Sequence, residues 1–317
     1  MIFRVLVISA IAFLLSSSCR QGDNSAADLR FAHPITVPAS PVSLTIGRDV
    51  VWVASFDAGV VQRVDIATGE LVGSPIAVYE RQTAGVNPVA IADVGDFVWV
   101  LVQGTAEIVQ IQAATGLPSG RRVKVGRFPV AVAVGEGALW VISKGDGTLT
   151  KHDLETGEML GAPVAVGDSP VALTVTHGAV WVVNQAEDSV LAIDPATMTR
   201  RGGPIAVGSL PRAIAAGADS VWVVNRGDNT VSRIRADGRV DDDAAEVGHN
   251  PTGIAVGGGS VWVTNFADSS LTRIDEVSGR VTSNNIPVDQ FPQGVAVSGQ
   301  TVWVSSLARS TLQRVEF

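Results

Sequence analysis

Residues 250–289 read NPTGIAVGGGSVWVTNFADSSLTRIDEVSGRVTSNNIPVD. Four short strands are visible in this stretch. TGIAV is the first, SVWVTN the second and SLTRID the third. The fourth ends in IPV. Gly-rich, Asn/Asp-rich and Ser-Gly turns separate them, as expected for antiparallel hairpins. The unit recurs. Tryptophan appears at Trp52, Trp99, Trp140, Trp181, Trp222, Trp262 and Trp303, with spacings of 47, 41, 41, 41, 40 and 41 residues. A proline stands eleven residues before each: Pro41, Pro88, Pro129, Pro170, Pro211, Pro251 and Pro292. A repeat of about 41 residues lies in the range of propeller blades.

The columns of the repeat have blade chemistry. Two residues after each proline stand Ser43, Ala90, Ala131, Ala172, Ala213, Gly253 and Gly294, all small, as crowding of seven inner strands near an axis requires. The next position is always branched and apolar, from Leu44 to Val295. The Trp triplets, such as Val51-Trp52-Val53, are apolar at all three places. A strand apolar on both faces is buried on both faces, which the two neighbouring blades of a propeller supply. The last unit stops after its third strand, at residues 312–317. The chain's early Pro34-Ile35-Thr36-Val37 matches the outer-strand motif Pro204-Ile205-Ala206-Val207. The expectation is therefore an all-β, seven-bladed propeller of four-stranded blades over residues 31–317. Its N-terminal outer strand would complete the last blade and remove the open edges.

The chain has 317 residues and a net charge of −8, with no dense basic patch. Such a protein repels phosphate backbones, so nucleic acid is not an expected partner. Cys19 is the sole cysteine, which excludes an intrachain disulfide. It follows Arg4, an apolar run over residues 5–15 and Ser16-Ser17-Ser18, a pattern resembling the lipobox of bacterial lipoproteins. That resemblance implies a signal peptide over residues 1–18, lipidation of Cys19 and a flexible polar tether over residues 19–30. An ordinary secretory signal with an incidental cysteine is the alternative. The apolar run is too short to span a bilayer.

Val221-Trp222-Val223-Val224-Asn225 with Asp228, and Val261-Trp262-Val263-Thr264-Asn265 with Asp268, begin a longer pattern. It continues through Arg-Ile-Asp, Thr-Gly and Pro-Ile-x-Val-Gly. The pattern resembles the YncE-like (YVTN-type) β-propeller repeat family of bacterial extracytoplasmic proteins and covers residues 34–317. The resemblance implies an extracytoplasmic protein, lipid-anchored to a bacterial membrane. It specifies fold strongly and activity weakly. NHL propellers and streptogramin B lyases have similar repeats.

The lyase reading needs a His/Glu cluster and a divalent metal. The four histidines, His33, His152, His177 and His249, do not converge in sequence. His152 replaces a branched apolar residue of the third strand and reads as core. No Gly-x-Ser-x-Gly elbow is present. Gly257-Gly258-Gly259-Ser260 reads as a tight turn, and Asp241-Asp242-Asp243 as a solvated turn without the spaced ligands of a calcium loop. No catalytic residue, metal or cofactor is expected.

Propellers bind ligands on the face built from outer-to-inner crossovers and second-to-third-strand loops. Three residues after each Trp stand Ser55, Val102, Ser143, Asn184, Asn225, Asn265 and Ser306, a polar ring or a set of strand-end caps. The next column varies: Phe56, Gln103, Lys144, Gln185, Arg226, Phe266 and Leu307. The crossovers add Arg127, Phe128, Asp168, Leu210, His249 and Phe291. About six extra residues around 79–84 carry Tyr79 and Arg81. A long loop on a repeat protein marks a working face or a tolerated insertion. The candidate binding face is thus Tyr79, Arg81, Arg127, Phe128, Lys144, Asn184, Asn225, Arg226, His249, Asn265, Phe266 and Phe291. The expected function is a monomeric scaffold that binds a protein, peptide or envelope polymer there, with the membrane as a second partner through lipid on Cys19. The alternative is a metal-assisted lyase or hydrolase at the channel mouth.

Overall fold

The computed structural model describes residues 29–79 and 85–317. Seven antiparallel sheets follow one another along the chain. The inner strands are Pro41–Ile46, Pro88–Asp93, Pro129–Gly135, Pro170–Thr176, Pro211–Ala216, Pro251–Gly257 and Pro292–Ser298. Each packs against the inner strands of the blades before and after it, and blade seven packs against blade one. The protein is a closed seven-bladed β-propeller.

The proline column begins every inner strand because proline lacks an N–H and suits a strand start. Each proline sits opposite the residue three after the Trp: Pro211 faces Asn225 and Pro251 faces Asn265. The register then shifts in every blade, between Pro211 and Ala213 in blade five and between Pro251 and Gly253 in blade six. The residue after the proline is therefore the extra residue of a β-bulge. The fixed offset from Pro to Trp is the signature of this bulged hairpin.

The small column matches the crowding it predicts. A Cβ on Gly253 would lie 2.4 Å from the Gln293 carbonyl oxygen of the next inner strand. The tryptophans are almost fully excluded from solvent, and each packs with apolar residues of its own and the adjoining blade. Opposite most of them, on the third strand, stands a long polar side chain. Trp52 faces Arg63, Trp140 faces Lys151, Trp222 faces Arg233 and Trp262 faces Arg273. These cations lie over the indoles, with Arg233 4.9 Å from the Trp222 centroid. In most blades the end of this third-strand side chain then crosses to the next blade. Lys151 Nζ donates to the Pro195 carbonyl at 2.9 Å, Arg233 Nη1 to Val277 at 2.9 Å, and Gln110 Nε2 to Glu155 at 2.8 Å.

The last blade closes as expected, with one addition. Ile35–Thr36 pairs with the final strand Thr311–Glu316, and so does Arg30–Phe31, making this sheet five-stranded. Arg30, the last residue of the expected tether, is therefore part of the sheet, and Leu29 packs against the cluster that holds Trp262 and Val315. Blade seven has no hairpin between third and fourth strands, so Arg273 of blade six lacks the carbonyl its equivalents use. Phe317 fills that place, 4.8 Å from the Trp262 ring and 5.0 Å from the Arg273 guanidinium. Residues 1–18, Cys19 and most of the tether lie outside the described residues. Among the described residues no helix is long and apolar enough to cross a membrane.

Candidate functional site

A cavity of about 480 Å³ opens at the mouth of the central channel. All seven blades contribute to it through one column, the bulge residues Val42, Val89, Val130, Val171, Arg212, Thr252 and Gln293. Bulges re-aim side chains and recur beside functional sites. Here the extra residue turns what would be a face-packing position toward the axis. Above this ring stand Phe56, Gln103, Phe128 and Lys144, which also line the cavity. No carboxylate lies among the lining residues described. The sequence pattern did not single out the bulge ring. Its signal was the position after each proline, where four valines give way to Arg, Thr and Gln without an obvious rule.

The rim is apolar and strained. The residue before each proline has positive φ in six blades: Ser40, Phe128, Ser169, Leu210, Asn250 and Phe291, between 50° and 60°. Asn tolerates this left-handed geometry, whereas a bulky side chain there is an outlier. Phe128, Leu210 and Phe291 nonetheless occupy it, with relative exposures of 53%, 49% and 44%. Phe291 is stacked on Phe266 at 4.9 Å with an 18° interplanar angle.

Ten of the twelve residues expected on this face fall into three groups, and Tyr79 and Arg81 stand apart. Phe128 and Lys144 line the mouth, and Phe266 and Phe291 form the stacked pair on its rim. Arg127, Arg226 and His249 are exposed on the same face but already partnered. Arg127 Nε donates to Asp146 Oδ1 at 2.6 Å, Arg226 Nε donates to Asn250 Oδ1, and His249 Nδ1 lies 3.0 Å from Asp268 Oδ1. Asn184, Asn225 and Asn265 are fully buried and present nothing to the surface. Their amides tie strand ends: Asn265 Nδ2 donates to Ser270 and Thr272, and Asn184 Nδ2 to the Val166 carbonyl at 2.6 Å. The strand-capping alternative accounts for that column. Tyr79 sits at the outer radius of the face. Its hydroxyl bonds Glu107 and Thr105, and Arg122 lies 4.1 Å over its ring. Arg81 lies outside the described residues.

The Asp of the repeat motif has a structural task on the same face. Asp146, Asp228 and Asp268 each accept the backbone N–H of the crossover residue nineteen positions earlier, at 2.5–2.6 Å, and Glu187 does the same for Asp168 at 2.7 Å. Hydrogen bonds from Arg127 and from His249 hold the Asp146 and Asp268 carboxyls below the usual range. The glycine of the Val-Gly motif leaves room for this clamp, since a Cβ on Gly248 would lie 2.6 Å from both Asn265 Cγ and Asp268 Oδ2.

His152 is core, as its column predicts. Its Nδ1 lies 2.8 Å from the Gly157 carbonyl oxygen and its Nε2 2.8 Å from Thr150 Oγ1. Burial pushes its pKa down, with the Gly157 contact opposing. Asp241 pairs with Arg235 at 2.7 Å at the outer edge of blade five. Among the described residues no group of three or more His, Cys, Asp or Glu is placed to hold a metal ion.

No family model and no curated protein matches the chain. Solved structures do. A catalytically inactive virginiamycin B lyase from Staphylococcus aureus with quinupristin is 16% identical. The match covers 92% of this chain and all of that one, with a TM-score of 0.78. A streptogramin B lyase is 16% identical over 91% of this chain and 97% of that one, with a TM-score of 0.75. Hydrazine synthase of Kuenenia stuttgartiensis is 16% identical over 90% and 98%, also with a TM-score of 0.75. These likenesses establish the seven-bladed propeller fold.

Proposed function

We propose that this propeller is a binding module, held at a bacterial membrane by lipid on Cys19. It presents the channel-mouth face to a protein, peptide or envelope polymer. The observation that carries the reading is the rim: Phe128, Leu210 and Phe291 are exposed apolar side chains on left-handed backbone. A surface under no demand would hold Ser, Asn or Gly there, as blades one, four and six do. Exposed apolar groups around a cavity of mixed lining are features of an interaction site. Backbone strain collected in such a place supports a functional reading of it.

The structural likeness to streptogramin B lyases favours a second reading, catalysis in the same mouth. That chemistry calls for convergent His and Glu around a metal. Here His249 is turned to Asp268 at the rim, and the cavity lining carries Lys144 and Arg212. Binding is the better-supported function.

The test places a photo-crosslinking residue at Phe128, Phe291 or Glu136, the last in the turn at the opposite end of blade three. Cross-links from the first two positions and none from Glu136 are expected in envelope preparations. Equal capture at both ends sinks the choice of face.

A further inference from the structure

The floor of the mouth carries one side chain that neither the fold nor the rim accounts for. Arg212 is the bulge residue of blade five, and its counterparts are four valines, a threonine and a glutamine. It is partly buried at the channel mouth. Several other arginines are answered, and those without a side-chain partner, such as Arg48, Arg239 and Arg309, are exposed to water. Arg127, Arg201, Arg233, Arg235 and Arg314 pair with carboxylates, and Arg63 and Arg200 donate to carbonyls. Arg212 makes no hydrogen bond or ion pair with any described residue.

Its neighbours sharpen the imbalance. Lys144 lines the same cavity, and Arg226 is close enough for its charge to act on Arg212. Burial first, and Arg226 second, push the Arg212 pKa below its ordinary value. A guanidinium remains a cation even so, and removing its water without a counter-charge is costly. The chain as a whole is acidic, with 31 Asp and Glu against 23 Lys and Arg. Two cations and no carboxylate in its central cavity are therefore a local reversal of sign.

We propose that the channel mouth is an anion site, in which Arg212 and Lys144 hold the carboxylate or phosphate group of a ligand whose apolar body lies against Val42, Val130, Phe56 and Phe128. Planar guanidinium chemistry suits two-point contact with either oxyanion. The other polar lining groups are partly committed. Thr252 Oγ1 bonds the Pro292 carbonyl at 3.1 Å, and Gln103 Nε2 bonds that of Pro129 at 3.2 Å. Recognition of the charged group thus falls to the two cations, and the valine-lined remainder takes the apolar part. This inference rests on the mouth face being the working face and specifies what enters it.

The experiment uses full-length protein in a neutral detergent and titrates it with benzoate, phenyl phosphate and benzyl alcohol by calorimetry. One-site binding of at least one acid is expected, at least tenfold tighter than the alcohol. The tighter acid identifies the preferred oxyanion. Arg212→Gln, a side chain that blade seven already carries as Gln293, should weaken acid binding at least tenfold and leave the alcohol unchanged. Lys144→Gln should weaken it as well, and Arg200→Gln on the outer edge of blade four should not. The acids should also raise the unfolding midpoint of the native protein and not that of Arg212→Gln. Equal binding of acids and alcohol, no binding of either acid, or native-like binding by Arg212→Gln would overturn the proposal. Acid binding without cross-links at Phe128 overturns the face reading alone. Cross-links without acid binding overturn the anion site alone.

Discussion

Arg314 and Ala67 are 247 residues apart in sequence, and the Arg314 Nη1 donates to the Ala67 carbonyl at 2.9 Å. This bond repeats at the ring closure the contact that Lys151 makes to Pro195 and Arg233 to Val277. The same third-strand side chain crosses each time to the next blade's outer hairpin. The closure is therefore chemically equivalent to an ordinary blade junction. Arg314→Ala should cost about 1.5–3 kcal/mol, the range for a hydrogen bond from a charged donor. Urea unfolding measures it. The exposed Arg239→Ala should stay within about 0.5 kcal/mol of the native protein. Equal effects at both sites would mean that the crossing bond contributes nothing to closure.

The tight packing of the crossover gives a second test. Gly248 lies under both the buried Asn265 amide and the Asp268 carboxylate. Gly248→Ala adds one methyl to an occupied space and should destabilise the protein by about 1–3 kcal/mol, the cost of overpacking. Gly203, with nothing within 4 Å of an added Cβ, should accept alanine without loss. A neutral Gly248→Ala would show that the clamp yields easily.

How far the sequence carried can be judged from three positions. Trp222 was legible because burial on both faces demands a large apolar group at one period. Asn225 was legible as a column but ambiguous in role, since a capping amide and a surface amide look alike until burial is known. Arg212 was not legible. A bulge residue obeys neither strand alternation nor column conservation of type, so its direction is set by the register shift alone. The blade-crossing cations were hidden for another reason: their partners are backbone carbonyls, which any sequence supplies. Residues 80–84 and Cys19 lie outside the described residues.

Acid should unfold this protein through its turns. Asp65, Asp153, Asp194 and Asp275 each accept the N–H of the Thr or Ser three residues on, at 2.7–2.9 Å. Backbone or side-chain hydrogen bonds at these turns hold all four below the ordinary 3.8. A depressed folded pKa gives stability that is present above the unfolded value and is lost as pH falls through the folded one. Asp93 runs the other way, because burial raises it, but it is one group against several. His152, whose pKa burial lowers, takes up a proton on unfolding, so the thermal midpoint should begin to fall below about pH 6.5 and fall more steeply below about pH 4. Asp194→Asn should show a shallower fall. An unchanged slope in that variant would remove the turn carboxylates as the cause.

The proposed anchor has its own test. Replacement of Cys19 by Ser leaves the apolar run and the tether intact and removes the acyl acceptor. The variant should move from the membrane fraction to the soluble extracytoplasmic fraction, and metabolic labelling with palmitate should disappear. A native protein that already lies in the soluble fraction without palmitate label, as Cys19→Ser does, would favour an ordinary secretory signal with an incidental cysteine.

The rim residues should separate stability from binding. Phe128 holds φ at 50° and is half exposed, so its ring gains little from burial while its backbone carries strain. Asn250 occupies the same position in blade six, and asparagine tolerates left-handed geometry. Phe128→Asn should therefore leave stability unchanged or raise it by about 0.5–1 kcal/mol, the scale of relief at a non-glycine left-handed position. The same substitution should weaken partner cross-linking at Phe291 and binding of benzoate or phenyl phosphate, because it removes an apolar wall of the mouth. A residue kept for folding would lose both together. If Phe128→Asn unfolds more readily and binds as before, the ring serves the blade junction and the rim loses its role.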